Sequence, residues 1–187
     1  MRVLELGVGI AVSYASKLLA DEGADVIKFE ALEGDPLRVR TPDIENATTD
    51  KDGLFLALNI NKRGVSFDLS DSRSLDRLLD WAEMVILGVS GSEFLEQRLN
   101  SESLLEERPH LVVLSITPFG LHGPCAGYLA EELNLVNASG WANMCPSTHS
   151  DPSLAPLKPF GEQCSMMAAV SAAATSLAYL RKAQSTG

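Results

Sequence analysis

Along this chain, apolar runs and polar breaks follow one another as strands and helices do. Residues 3–6, Val-Leu-Glu-Leu, read as a short buried first strand. Gly7-Val8-Gly9 then turns the chain into a helix that begins near Ala11 or Val12, and Leu18, Leu19 and Ala20 close its apolar pattern. Gly23 suits a left-handed helix cap, and residues 25–29, Asp-Val-Ile-Lys-Phe, are rich in the β-branched and aromatic side chains that strands favour. Together these pieces predict a βαβ unit.

Beyond it, residues 31–52 carry Pro36, Pro42 and many acids without a sustained period, which predicts an extended loop. Residues 59–64 lead into a third strand over 65–69 whose alternation suits a half-buried position. Ser70 and Asp71 are capping residues ahead of Leu75, Leu78, Leu79 and Ala82 at helical spacing, and residues 84–87 form a fourth strand. Short helices are expected over 94–99 and 103–108. Pro109 stops the second, and residues 110–116 make a fifth strand.

The last third begins with a glycine-containing turn over 117–124 and a helix over 128–139. A surface loop over 141–159 follows, punctuated by Pro146, Pro152, Pro156 and Pro159. The final helix opens at Phe160 and runs to about Lys182, with Ala168, Ala169, Ala172, Ala173, Ala174 and Ala178 around most of it. Such small side chains let a neighbouring backbone approach closely, as at a buried or subunit-facing helix. The expected fold is α/β: a Rossmann-like parallel sheet of at least five strands with helices on both faces, ending in this long alanine-rich helix. Ligands bind such sheets at the carboxyl ends of the strands, so Gly7, Gly9, Gly88 and Gly120 are expected at one ligand-binding edge.

Composition narrows the function. The 187 residues are enough for one domain, taken as 1–187, and a net charge of −10 gives no support for binding nucleic acid or an anionic membrane. Cys125, Cys145 and Cys164 are odd in number and lack a CxxC pair, so neither a disulfide framework nor a metal site is expected and a cytoplasmic setting fits best. No signal peptide or membrane span is expected, because no stretch stays apolar for about 18 residues. Gly7-Val8-Gly9 hints at a dinucleotide fingerprint with Glu30 as the ribose-binding acid, but position 12 is Val where the third glycine belongs.

The segment LLADEGADVIKFE followed by GDPLR, then FLALNINKRGVSFDL at 55–69 and SITPFGLHGP at 115–124, together resemble the family III CoA-transferases. That family includes formyl-CoA transferase, carnitine CoA-transferase and 2-methylacyl-CoA racemase. The resemblance implies transfer of CoA between an acyl-CoA and a carboxylic acid through a mixed anhydride on an aspartate, without a metal. It also implies a homodimer, or packing against a smaller second domain that this chain does not include.

By the same resemblance, Arg38 of the GDPLR block lies at the CoA-binding surface, and Asn61, Lys62 and Arg63 lie beside the CoA nucleotide. Ser90 replaces the arginine of a Phe-Arg-Pro-Gly turn, where small residues can still let backbone N–H groups approach a phosphate. Gly120 belongs to a ligand-side turn, and Glu131-Glu132 stand where the family has a Tyr-Asp or His-Asp pair. Being adjacent on a helix, these two glutamates are not expected to act as a dyad. Ser165 falls at the nucleophile position, and Glu162, one helical turn earlier, is the nearest carboxylate and the candidate nucleophile. A Ser165 nucleophile served by His122 or His149 lacks a G-x-S-x-G elbow, and His122 is expected to face solvent. Two readings follow: a CoA-transferase working through Glu162, or a degenerate CoA-binding or assembly module such as one half of a tandem protein.

Overall fold

The computed structural model describes residues 1–39, 53–68, 71–88, 99–144, 153 and 155–186. Within them the expected alternation is present. In chain order come β1 (Arg2–Leu6), α1 (Ile10–Asp21), β2 (Asp25–Glu30), α2 (Gly53–Asn59), β3 (Arg63–Ser66), α3 (Ser72–Trp81), β4 (Met84–Leu87), α4 (Ser101–Glu107), β5 (Val112–Ser115), α5 (Glu132–Ala138) and α6 (Gln163–Thr186).

All five strands are parallel, in the order β3-β2-β1-β4-β5. The strand period of two sends alternate residues to opposite faces. Val3, Val26, Met84 and Ile86 pack on Val12, Ala15 and Leu19 of α1 and on Ala169, Ala173 and Leu180 of α6. Leu4, Leu6, Ile27, Val85 and Leu87 pack on Leu75 and Leu79 of α3 and Leu104 of α4. Coverage of both faces is why these strands read as nearly continuous apolar runs. In α6 the buried residues Ala169, Ala173, Ser176 and Leu180 form one stripe, and the two alanines let α1 and α6 lie close together.

Several elements differ from the sequence expectation. Helix α2 carries no sequence signal beyond Phe55 and Leu58, one turn apart, which it buries with Ile10 and Leu37 in a satellite cluster. Strand β3 begins and ends earlier than predicted because its register on β2 pairs Arg63 with Ile27 and Ser66 with Glu30. Phe67 has left the ladder by then and instead packs on Phe29 with the rings tilted by 55° and their centroids 4.8 Å apart. Asp71 caps α3, accepting from Ser74 N, and Ser70 lies outside the described residues. The helix expected over 94–99 falls mostly outside them too. Helix α5 starts later than predicted, where the Asn134 side chain accepts the Glu131 N–H and fixes its first turn.

The chain runs from β1 through β2 to β3 on one side and places β4 and β5 on the other. This leaves a crevice where the carboxyl ends of β1 and β4 diverge, the usual ligand position in such sheets. Gly7 and Gly88 cross there. Gly7 has φ +128°, and a Cβ on it would sit 2.7 Å from the Gly88 nitrogen, so no other residue fits without moving backbone. Gly9 and Gly120 follow β1 and β5 at the same edge.

Candidate functional site

At this edge a cleft of about 1080 Å³ opens between three walls. One is the turn into α1, from Val8 to Val12. The second is the exit of β5, with Ile116 to Phe119. The third joins α5 to the first turn of α6, with Glu132, Glu162, Cys164 and Ser165. Both residues proposed from sequence for the chemistry, Glu162 and Ser165, therefore line one cleft. Glu162 stands at the head of α6, its carbonyl accepting from Met166 N at 3.0 Å, and its side chain is half-buried.

A third residue completes this corner. Glu132, only 7% exposed, reaches from α5 to the start of α6. One carboxylate oxygen accepts the Cys164 N–H at 2.6 Å, and the other accepts the Ser165 N–H at 3.1 Å and the Ser165 hydroxyl at 2.8 Å. The first N–H groups of a helix lack intrahelical acceptors and carry its positive dipole end, so a carboxylate there is doubly favoured. Burial raises the neighbouring Cys164 thiol above its ordinary pKa, and the Glu132 charge adds to that. Sequence reasoning assigned Glu132 no role. The available signal was its spacing, since Glu132 and Val136 are four apart on one helix and both are buried. Glu131, at the helix cap, is exposed, so the two glutamates do not act together.

A second polar cluster lies under α1. Glu5, fully buried on β1, accepts from Ser13 Oγ at 3.0 Å and Ser16 Oγ at 2.6 Å on α1. It also meets two ammonium groups, Lys28 Nζ at 2.7 Å and Lys62 Nζ at 2.8 Å. Lys28 is shared with Asp35, 2.7 Å away, and Lys62 also donates to the Ser13 carbonyl and Asn59 Oδ1. Burial pushes Glu5 upward, but Lys28 and Lys62 outweigh it and hold the carboxyl at about 2. Lys62 is pushed down to about 8 by burial, which its share of Glu5 only partly offsets. Burial also acts to lower Lys28, but with two carboxylates around it Lys28 is raised instead.

The residues expected beside a nucleotide have partners within the fold. Asn61 donates to Asp21 at the end of α1, and Arg63 forks onto Asp25, the first residue of β2, at 2.7–2.8 Å. Both partners lie at the amino edge of the sheet, opposite the cleft. The Lys62 side chain is 2% exposed and committed to Glu5. Arg38 does lie at the carboxyl edge. It grips Glu30 through Nε at 2.7 Å and Nη2 at 2.8 Å and stacks over Phe55, while its neighbour Leu37 lines the cleft. Glu30, the acid of the dinucleotide reading, is thereby bound to Arg38 and to the Asp35 N–H. Gly120 is exposed with φ +81°, and His122 is exposed. Ser90 and His149 lie outside the described residues. Among the described residues no group of His, Cys, Asp and Glu has the arrangement of a metal site, and no helix is long and apolar enough to cross a membrane.

Comparison with known proteins places the chain in a family. The sequence profile of CoA-transferase family III matches residues 1–187. The chain is 32% identical over 178 residues to the succinyl-CoA:(R)-benzylsuccinate CoA-transferase subunit BbsE of Thauera aromatica, covering 93% of this chain and 42% of that protein. It is 27% identical over 191 residues to the (R)-2-hydroxy-4-methylpentanoate CoA-transferase of Clostridioides difficile, covering all of this chain and 47% of that one. The chain thus spans less than half the length of these curated relatives. Among solved structures, a CAIB/BAIF family protein from Brucella suis superposes with a TM-score of 0.87 at 26% identity, over all of this chain and half of that one. The profile match over the whole chain and the shared fold assign the chain to CoA-transferase family III.

Proposed function

We propose that the cleft binds the acyl-thioester end of an acyl-CoA and takes part in moving CoA to a carboxylic acid, with Glu162 as the nucleophilic carboxylate. The observation that carries this reading is the meeting of Glu162, the α6 head and the turn into α1 in one largely apolar cleft of a family III chain. Attack by the carboxylate on the thioester carbonyl would give an anhydride and CoA thiolate. The thiolate then attacks the Glu162 carbonyl carbon, which frees the first acid and leaves CoA on the enzyme for the acceptor acid. Apolar side chains of Val8, Leu129 and Leu135 line the open cleft beside that anhydride. Arg38, held in place by Glu30 and Phe55, would meet a CoA phosphate, and the Gly120 turn would pass alongside it.

Helix α6 exposes Met167, Val170 and Leu177 away from α1, and this stripe would pack against a second copy or another domain.

Incubation with butyryl-CoA or succinyl-CoA should leave an adduct on Glu162 that neutral hydroxylamine removes, and Glu162→Gln should abolish it. Arg38→Ala should weaken CoA binding about tenfold or more by calorimetry, as expected for one lost charge-assisted contact. Unchanged affinity in that variant would remove Arg38 from the site.

A second reading is a CoA-binding or assembly module without transfer chemistry. It is favoured by Ser165 at the position where the resemblance places an acid, and by Glu132 already filling the helix head beside it. CoA binding without any adduct would select it.

A further inference from the structure

We propose that Ser165 is a second nucleophile of the cleft, with the Glu132 carboxylate as its general base, and that it directs part of any bound acyl-CoA to hydrolysis. This rests on the reading that the cleft takes an acyl thioester. The geometry is a direct hydrogen bond, Ser165 Oγ to Glu132 Oε2 at 2.8 Å, between two side chains that both line the cleft. A base must be within such reach of the proton it removes. The base is held in place, because the same carboxylate is tied to the Cys164 and Ser165 N–H groups and is largely buried.

The steps balance without any other reagent. Ser165 Oγ attacks the thioester carbonyl carbon as its proton passes to Glu132 Oε2. The tetrahedral intermediate collapses with cleavage of the C–S bond, and CoA leaves with the proton returned from Glu132, so that a serine ester remains. Water, deprotonated by Glu132, then attacks the ester, and Ser165 Oγ departs with that proton. The net reaction is acyl-CoA plus water to acid plus CoA.

Because Glu132 occupies the Cys164 and Ser165 N–H groups, the oxyanion must be met from the facing wall. There α1 starts at Gly9 without a side-chain cap, and residues Val8 to Val12 line the cleft. The two nucleophiles give different products for a structural reason. An acylated Glu162 has a carbonyl carbon of its own that CoA thiolate can attack, so CoA is retained for transfer. An acylated Ser165 has none, so its acyl group can pass only to water or another acceptor nucleophile.

The test is incubation of the full chain with butyryl-CoA, reading released thiol with a thiol-reactive dye and the adduct by peptide mass mapping. Expected are an acyl group on Ser165 that survives neutral hydroxylamine and CoA release at least tenfold above the enzyme-free rate. Both should fall at least tenfold in Ser165→Ala and in Glu132→Gln, and the serine adduct should persist in Glu162→Gln. Ser165→Thr, which keeps a hydroxyl, should restore part of the release, and circular dichroism should show each variant folded. Calorimetry with the thioether analogue of butyryl-CoA separates the two proposals. If the analogue binds and the only adduct is hydroxylamine-labile on Glu162, or no adduct forms, the serine route is overturned while the cleft assignment stands. If the analogue does not bind, both fail.

Discussion

Two clusters of charged side chains flank α1, and they do opposite things with their charge. Under the helix, Glu5, Lys28, Lys62 and Asp35 neutralise one another in a space closed to water, with Ser13 and Ser16 taking part of the remaining hydrogen-bonding capacity. At the helix's amino end, Glu132, Glu162 and Ser165 border an open cleft. The first cluster is a brace that joins β1, β2, α1 and the approach to β3. The second exposes reactive oxygens where a ligand can reach them. Charge in a sequence therefore says little about ligand contact until its partners are known: Lys62 looked like a phosphate contact and lies inside the brace, while Glu132 looked idle and sits in the cleft.

The comparison breaks first at Glu5. In Glu5→Gln two buried ammonium groups lose their shared counter-charge, and a pair broken from one side in this way typically costs about 3–5 kcal/mol. Urea unfolding should show that loss, with ligand effects secondary to it. A change below about 1 kcal/mol would mean the brace is not holding the fold.

The pH dependence sharpens the contrast. Glu5 titrates at about 2 in the fold against an ordinary 4.5, so its contribution is full above about 4.5 and is lost as pH falls toward 2. Lys62 is depressed from 10.5 to about 8, so between those values the unfolded chain holds a proton that the folded one has released. Stability from this group must rise with pH across that window, by something on the order of 3 kcal/mol. Lys62→Met should remove the rise, as read by unfolding free energies at pH 8 and pH 10. The same slope in parent and variant would take Lys62 out of the brace.

The smallest effect belongs to the cleft side. Glu132→Ala removes the acceptor at the head of α6 and should cost about 1–2 kcal/mol, the usual range for a lost helix cap. Amide hydrogen exchange at Cys164 and Ser165 should accelerate while that of Ala173, in the middle of the helix, stays near the parent value. Unchanged exchange at the first two would mean that Glu132 does not cap the helix.

Much of the architecture was legible locally. The runs at β1, β2 and β4 are apolar because both sheet faces are covered, and short length and β-branched content separate them from the helices between. Gly7 and Gly88 are legible in the sequence as residues of one sheet edge, though only the sheet order shows that they cross each other. Helix α2 was hidden because a seven-residue segment that buries only Phe55 and Leu58 has too little period to detect.

What the sequence determined by itself, then, was the alternation of elements, the parallel sheet, the family signature and the chemical types available near the carboxyl edge. These depend on neighbours a few residues apart. Only the tertiary structure decided which charges meet. Lys62 lies 57 positions from Glu5, and Glu132 lies 33 from Ser165. Whether such pairs form depends on helix placement and strand register, which place Asn61 and Arg63 at the far edge of the sheet and bring Glu132 to the head of α6. Hydrogen bonds act over about 3 Å, so contacts this distant in sequence follow from the assembled fold and from no local pattern.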